Sequence, residues 1–372
     1  MMVKHAKLLS LCIFIFWLQK IELKGQILHD PETFARIEKG VENIYNCRFN
    51  EAKADYRFIK SKYPNHAVPN LFKALVIYWE FYPLIPGSEE GRQFIYNLEL
   101  CLQQAEKVLK KNENDAENVL AGLGALGLML LYYADNGQTR NVISLAAPTY
   151  QYVMKSFNFT KEYPDFYFIT GLYNYYREAY PEAKPIYKPV VLFFPHGDKP
   201  LGLKQLKIAA DSAIFLKAEA ISFLSGIYLS FEKNPQYASF YSKKLTLKFP
   251  GNIKFQTDHI KDLLLDKKYQ RAEKMLDTII YPAHSRYLQM RIDCFRAILY
   301  EKVYANDKKA EQYYQMTINK SEEYKDYANE FRSYAYFGLS RIYSRKGDLK
   351  TMKRYRKQAE SNAVFADIDF DD

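Results

Sequence analysis

One spacing recurs in two distant parts of the chain and restricts its folding more than any other feature. Two triplets carry a small residue, a second small residue and a proline at intervals of 12 residues: Gly40, Ala52 and Pro64, then Gly226, Ala238 and Pro250. Small residues at this interval let two consecutive helices approach closely, and proline ends the second helix. The spacing therefore predicts helical hairpins of about 34 residues stacked in an array. A looser third copy places Ser340 and Met352 where the Gly and the Ala would stand.

The spacing of apolar residues extends this prediction to most of the chain. Apolar side chains recur at i, i+3, i+4 and i+7, which is typical of helices packed on one face. The pattern predicts eight helix pairs, at 33–46/49–62, 66–82/89–112, 115–134/139–157, 164–179/200–215, 218–232/235–248, 252–266/269–280, 283–304/307–321 and 326–345/348–361. No segment alternates apolar and polar residues long enough to predict a sheet. We expect an all-α fold.

These positions resemble the pattern of the tetratricopeptide repeat (TPR) family. The shared positions are Gly40, Ala52, Tyr56, Pro64, Gly226, Ala238, Pro250, Tyr343 and Gly347. The resemblance implies a right-handed superhelical solenoid of about eight hairpins over residues 26–364. The blocks 167–173 and 197–206 are also similar to a TPR subfamily that includes an outer-mitochondrial-membrane-associated protein and exported bacterial proteins.

The first 25 residues predict a signal peptide. Lys4 and Lys7 precede an apolar run at 8–18, which is short for a membrane-spanning helix of roughly 20 residues. Gly25 is a small residue before the expected cut, so the mature chain would begin at Gln26. Cleavage predicts an extracytoplasmic protein, either periplasmic or associated with an outer membrane. The alternative is an uncleaved N-terminal anchor.

The motifs that could carry catalysis or metal binding have simpler explanations. Gly122, Gly124 and Gly127 match the letters of a dinucleotide-binding motif, but a polar stretch precedes them instead of a buried strand. We interpret them as close packing inside a helix. The six histidines lack metal-binding spacing, and the cysteines beyond residue 25 (Cys47, Cys101 and Cys294) predict free thiols. The sequence predicts no enzyme activity, no cofactor and no metal.

Residues 180–200 interrupt the repeat. This insert carries five prolines around an apolar centre at 190–194, and long loops in compact arrays are often functional. The insert either plugs the inner groove or takes part in binding, and its expected receiver is the aromatic face of Phe168, Tyr175 and Tyr176. Residues 365–372 form an acidic tail, which we expect to be frayed.

The TPR resemblance also implies which residues line the inner groove. Counted from Gly171 and Gly226, the groove positions include five aromatic residues, of which Phe231 is the last, and the insert adds two more. The predicted partner-binding residues are Phe168, Tyr175, Tyr176, Phe193, Phe194 and Phe223. An apolar, aromatic groove favours an extended peptide or a helix as its ligand.

The function predicted from these residues is a non-enzymatic, extracytoplasmic scaffold that binds a protein or peptide partner. The alternative is a glycan- or lipid-binding module that uses the same groove. A formal net charge of +10, which becomes +7 without residues 1–25, is too dispersed to predict specific nucleic-acid binding. The basic residues of the last pair predict either a polar cap or association with an anionic membrane surface. The oligomeric state stays open.

Overall fold

The computed structural model describes residues 27–183, 185, 188–192, 194–281, 285–363 and 370. The expected signal peptide and most of the acidic tail lie outside these ranges. Within them the chain forms helices and no strand. Phe370, the one described residue of the acidic tail, is buried with its ring 5.1 Å from that of Tyr334, so this position is not frayed.

In the described residues, sixteen long helices follow one another as eight hairpin pairs. They are α1 (Pro31–Tyr45) and α2 (Phe49–Lys62), α3 (Ala67–Glu80) and α4 (Glu89–Leu109), α5 (Ala116–Asp135) and α6 (Thr139–Ser156), α7 (Phe166–Ala183) and α8 (Lys199–Ser212), α9 (Lys217–Ser230) and α10 (Pro235–Lys248), α11 (Ile253–Leu265) and α12 (Tyr269–Thr278), α13 (Arg286–Lys302) and α14 (Asp307–Ser321), and α15 (Asn329–Arg345) and α16 (Leu349–Asn362). The insert adds a one-turn helix, Lys188–Val191. The eight predicted pairs are confirmed.

Short polar side chains fix where many of these helices begin. Asp30, Asp115, Asn252 and Asp348 each accept a hydrogen bond from the backbone N–H three residues later. Such N-caps satisfy donors that have no partner inside the helix. Asp198 caps α8 in the same way, by accepting a hydrogen bond from the Leu201 N–H at 2.9 Å.

The helices form an inner and an outer layer. Odd-numbered helices of successive pairs pack side by side, with α1 on α3, α3 on α5, α11 on α13 and α13 on α15. We call these the inner layer, and the even-numbered helices the outer layer. The all-α solenoid of helical hairpins is confirmed.

Glycines allow the tightest helix crossings, although not everywhere that the spacing predicts. A Cβ on Gly202 would lie 2.6 Å from the backbone nitrogen of Tyr175 and 2.9 Å from the carbonyl oxygen of Gly171, so α7 and α8 touch backbone to backbone. The expected contact between Gly226 and Ala238 is wrong. A Cβ on Gly226 would meet nothing within 4 Å, whereas the Ser225 hydroxyl donates to the Ala238 carbonyl at 2.9 Å.

Helix α5 carries the three glycines that imitate a nucleotide motif. A Cβ on Gly122 would clash with the Tyr152 ring at 2.2 Å, and one on Gly124 would lie 2.9 Å from Leu71, while Gly127 faces open space. Close packing is thus confirmed at two of the three. By length and composition α5 is the one described helix that could cross a membrane, and 56 % of its most apolar stretch is buried among neighbouring helices.

The superhelix closes on itself. The Tyr45 ring at the end of α1 lies 5.3 Å from Trp79 and 5.2 and 6.1 Å from Phe249 and Phe255, and the Asn252 side chain donates to the Tyr45 carbonyl at 2.9 Å. We call this the closing contact. The first pair therefore packs against the fifth and sixth, and part of the expected groove is filled by the protein itself.

A second contact across the superhelix lies beside the first. The Tyr82 ring is 5.7 Å from Tyr287 and 6.1 Å from Tyr327, which joins the second pair to the seventh and eighth. The three cysteines in the described part of the chain, Cys47, Cys101 and Cys294, are free thiols, as expected, and Cys101 and Cys294 are buried.

Candidate partner-binding surface

Four of the predicted partner-binding residues lie together on the inner layer. Phe168, Tyr175 and Tyr176 of α7 meet Phe223 of α9. The ring centroids are 5.4 Å apart for Phe168 and Phe223, 5.5 Å for Tyr175 and Tyr176, and 6.5 Å for Tyr176 and Phe223. Edge-on contacts of this kind stabilise the pairing of the two helices.

Burial divides these four residues into core and surface. Phe168 and Tyr175 are 6 % and 0 % exposed, and the Tyr175 hydroxyl donates to the Glu232 carboxylate, so both are structural. Tyr176 and Phe223 are half-buried and keep access to solvent. Burial raises the pKa of Tyr176 well above its ordinary value, which keeps its hydroxyl neutral and able to donate.

Two further aromatic residues complete the exposed part. Tyr180, which is 40 % exposed, and Phe231 each lie within 5.4 Å of Tyr176 and of one another. We call Tyr176, Tyr180, Phe223 and Phe231 the aromatic patch. The sequence carries a signal for Tyr180, because residues four apart share one face of a helix.

Phe194, at the end of the apolar centre of the insert, does not pack on this patch. Phe194 lies 4.8 Å from the Tyr150 ring of α6. The Arg177 guanidinium donates to the Phe194 carbonyl at 3.0 and 3.2 Å, and the Tyr173 hydroxyl donates to the Pro195 carbonyl at 2.7 Å. Because these donors lie on another face of α7, Phe194 and Pro195 are held away from Phe168, Tyr175 and Tyr176, whereas Lys199 at the end of the insert lies 5.7 Å from the Tyr175 ring.

The expectation that the insert plugs the groove is therefore wrong at Phe194. Leu192, from its apolar centre, is 78 % exposed. Phe193 lies outside the described residues, so its predicted role stays a prediction.

A second feature of the inner layer is a group of charged side chains. Asp258 of α11 bonds Lys254 at 2.7 Å and Arg291 of α13 at 2.6 Å, and Lys261 bonds Glu330 of α15 at 2.8 Å. Arg291 is 1 % exposed, whereas the other four keep some contact with solvent. We call these five residues the inner charge cluster. Each of its cations already bonds a carboxylate, so the cluster is built to hold helices together rather than to bind a small anion.

The surroundings of this cluster shift the pKa values of two carboxylates, Asp258 and Asp135, in opposite directions. Burial opposes the ionisation of Asp258, but Lys254 and Arg291 hold its pKa well below the usual range. Burial raises the pKa of Asp135, at the end of α5, to about 7, with Lys254 opposing and Glu330 adding to the rise. Over the described part of the chain, no three His, Cys, Asp or Glu side chains lie close enough to hold a metal ion.

Asp135 makes stability depend on pH. Its folded pKa lies above the unfolded value of about 4, so the folded state holds the proton more strongly between about pH 4 and pH 7, and stability falls as the pH rises through that window. We expect Asp135→Asn to remove this loss. In thermal melts, the midpoint of the variant should rise relative to that of the wild type between pH 5 and pH 8. A difference that is the same at both pH values would contradict the assignment.

The fold and these surfaces define an all-α helical-hairpin solenoid with an aromatic inner surface. No family model and no curated protein matches the chain. Among solved structures, a monomeric mutant of IFIT1 with Gppp-AAAA is similar at a TM-score of 0.31 and 13 % identity over 85 % of this chain and 78 % of that one. Yeast Tom70 is similar at a TM-score of 0.24 and 12 % identity over 90 % of this chain and 93 % of that one. At these TM-scores the likeness says nothing about function.

Proposed function

We propose that this protein is a non-enzymatic scaffold outside the cytoplasm that binds a protein or peptide partner through the aromatic patch. The observation that carries the proposal is that exposed Tyr180 and half-buried Tyr176, Phe223 and Phe231 form one aromatic surface on the inner layer. Exposed aromatic side chains gathered in one place are typical of binding surfaces. The location rests on the basic, apolar start of residues 1–25.

The patch suits a peptide for a physical reason. Its rings are held by neighbouring rings, so little side-chain entropy is lost when a ligand packs on them. A helix or an extended segment with apolar side chains would bury these rings further.

Site-specific crosslinking in cells that produce the protein tests the proposal. Tyr180 is replaced by a photo-crosslinking phenylalanine analogue, and Tyr96 serves as the control because it is 59 % exposed on outer helix α4. We expect a protein adduct of defined mass at position 180 and none at position 96. Adding Phe223→Ser should reduce the adduct about tenfold or more, as expected for loss of an aromatic anchor.

Two outcomes would contradict this function. Equal adducts at positions 180 and 96 would mean that the patch is not selective. Adducts that contain only lipid or glycan would support the alternative, a glycan- or lipid-binding module. Circular dichroism of each variant shows whether the fold is kept.

A further inference from the structure

Outer helices α8 and α10 carry exposed apolar residues on a face that no described part of the chain covers. On α10, Tyr237, Phe240 and Leu247 are 52 %, 51 % and 71 % exposed, at a spacing that places them along one side of the helix. On α8, Leu201 is 42 % exposed, and Ile214 just beyond the helix is 44 % exposed. We call these five residues the outer apolar stripe.

Lysines accompany this stripe. Helices α8 and α10 contain six lysines and a single acidic residue, Asp211. The lysines are Lys199, Lys204, Lys207, Lys243, Lys244 and Lys248. Asp211 lies 3.8 Å from Lys244, the Lys199 ammonium bonds Glu182, and Glu38 and Glu42 of α1 attract Lys248, so Lys204, Lys207 and Lys243 are the three lysines of these helices without a described carboxylate partner.

The two helices present one continuous surface. The Lys207 ammonium lies 5.9 Å from the Tyr228 ring, and that ring stacks on Tyr237 and Tyr241 at 5.0 and 5.6 Å. The Lys244 ammonium lies 5.0 Å from the Phe240 ring. Because lysines of both helices pack on aromatic rings, their charges are held beside the apolar side chains instead of being spread over the surface.

We propose that this outer face binds the surface of an anionic lipid bilayer. A helix lying flat on a bilayer needs large apolar side chains to enter the headgroup boundary and lysines to meet anionic lipids, and α8 and α10 supply both on one side. Tyrosine and phenylalanine favour this boundary because their rings are apolar while the tyrosine hydroxyl stays hydrated. This surface belongs to the outer layer, so its role is independent of the aromatic patch.

Charge complementarity selects the bilayer over a soluble acidic protein. The Leu247, Phe240 and Tyr237 side chains are each more than half exposed, and Lys243 and Lys244 lie between Phe240 and Leu247 in sequence, so a soluble partner would need a surface shaped to separate apolar and basic side chains. A fluid bilayer adapts to separate protruding side chains, and its charge is spread as widely as the lysines are.

Co-sedimentation of the full protein with lipid vesicles tests the proposal. We expect binding to phosphatidylcholine vesicles that contain phosphatidylglycerol, weak binding to phosphatidylcholine alone, and loss of binding at high salt because of charge screening. The double variant Phe240→Ser/Leu247→Ser and the double variant Lys207→Gln/Lys243→Gln should each bind about tenfold more weakly. The replaced side chains reach the surface, so the thermal midpoints should change little.

Two control variants remove similar groups elsewhere. Tyr96→Ser/Ile143→Ser removes exposed apolar side chains from α4 and α6, and Lys107→Gln/Lys110→Gln removes two exposed basic residues at the end of α4. Both should bind the anionic vesicles like the wild type. The proposal is overturned if either control weakens binding as much as the α8–α10 variants do. It is also overturned if the protein does not bind anionic vesicles. This outcome includes the case in which the face binds only a soluble acidic protein.

Discussion

Gly202→Ala should destabilise the protein strongly, although alanine is the better helix former. The added Cβ would lie 2.6 Å from the Tyr175 backbone nitrogen and 2.9 Å from the Gly171 carbonyl oxygen. These are backbone atoms of α7, so the contact is relieved only by moving two whole helices apart. Overpacking costs about 3 kcal/mol in such a place, opposed by about 1 kcal/mol of helix propensity. Denaturant titration should show a net loss of about 2 kcal/mol or more.

Gly226→Ala is the matched control. Gly226 also lies in the middle of a helix, but a Cβ there would meet nothing within 4 Å. The variant should be neutral or more stable by up to about 1 kcal/mol. If both variants lose the same free energy of unfolding, the close crossing of α7 and α8 is not what limits Gly202.

Arg291→Met should cost about 3 kcal/mol of folding free energy. Arg291 is 1 % exposed, its guanidinium bonds Asp258 at 2.6 Å, and it lies 4.9 Å from the Phe331 ring. Methionine fills a similar space but leaves Asp258 with Lys254 as its remaining cation. Breaking a buried pair costs about 3–5 kcal/mol, and the partial exposure of Asp258 places this case at the low end.

Measurements at low pH and on an exposed ion pair provide two controls for Arg291→Met. Because the folded pKa of Asp258 lies below its ordinary value, the pair stabilises the protein above about pH 4, and the difference between wild type and variant should shrink in acid. Arg92→Met, which breaks an exposed pair with Glu89, should cost no more than about 0.5 kcal/mol at any pH. A large loss in Arg92→Met, or none in Arg291→Met, would contradict the structural role of the cluster.

The helices could be predicted from sequence because their signals are local. Apolar spacing and N-cap residues such as Asp115 and Asn252 act within a few residues, and they place all eight pairs. Which small residue contacts the next helix depends on how the two helices cross. There the prediction is wrong by one residue, because Ser225 and not Gly226 contacts Ala238.

The inner surface could be predicted only in part, because its composition depends on long-range packing. Lys254 and Asp258 are four residues apart and look like a pair on a solvated helix face, and only the closing of the superhelix encloses them. The position of the insert is set by hydrogen bonds that Tyr173 and Arg177 donate to its backbone carbonyls. Such bonds cannot be predicted from residue types alone. Tyr176 and Phe223 were recognisable because the repeat gives their positions a fixed direction.

The closing contact changes how the array unfolds. In an open solenoid each repeat touches only its neighbours, so the ends can fray and a repeat can be removed at a local cost. Here Tyr45 of the first pair is packed against Phe249 and Phe255, more than 200 residues away along the chain. Loss of the first pair would uncover the fifth and sixth, so the ends and the middle are coupled. We therefore expect the array to unfold as one cooperative unit, to resist changes of curvature around a ligand, and to lose stability when a terminal repeat is removed.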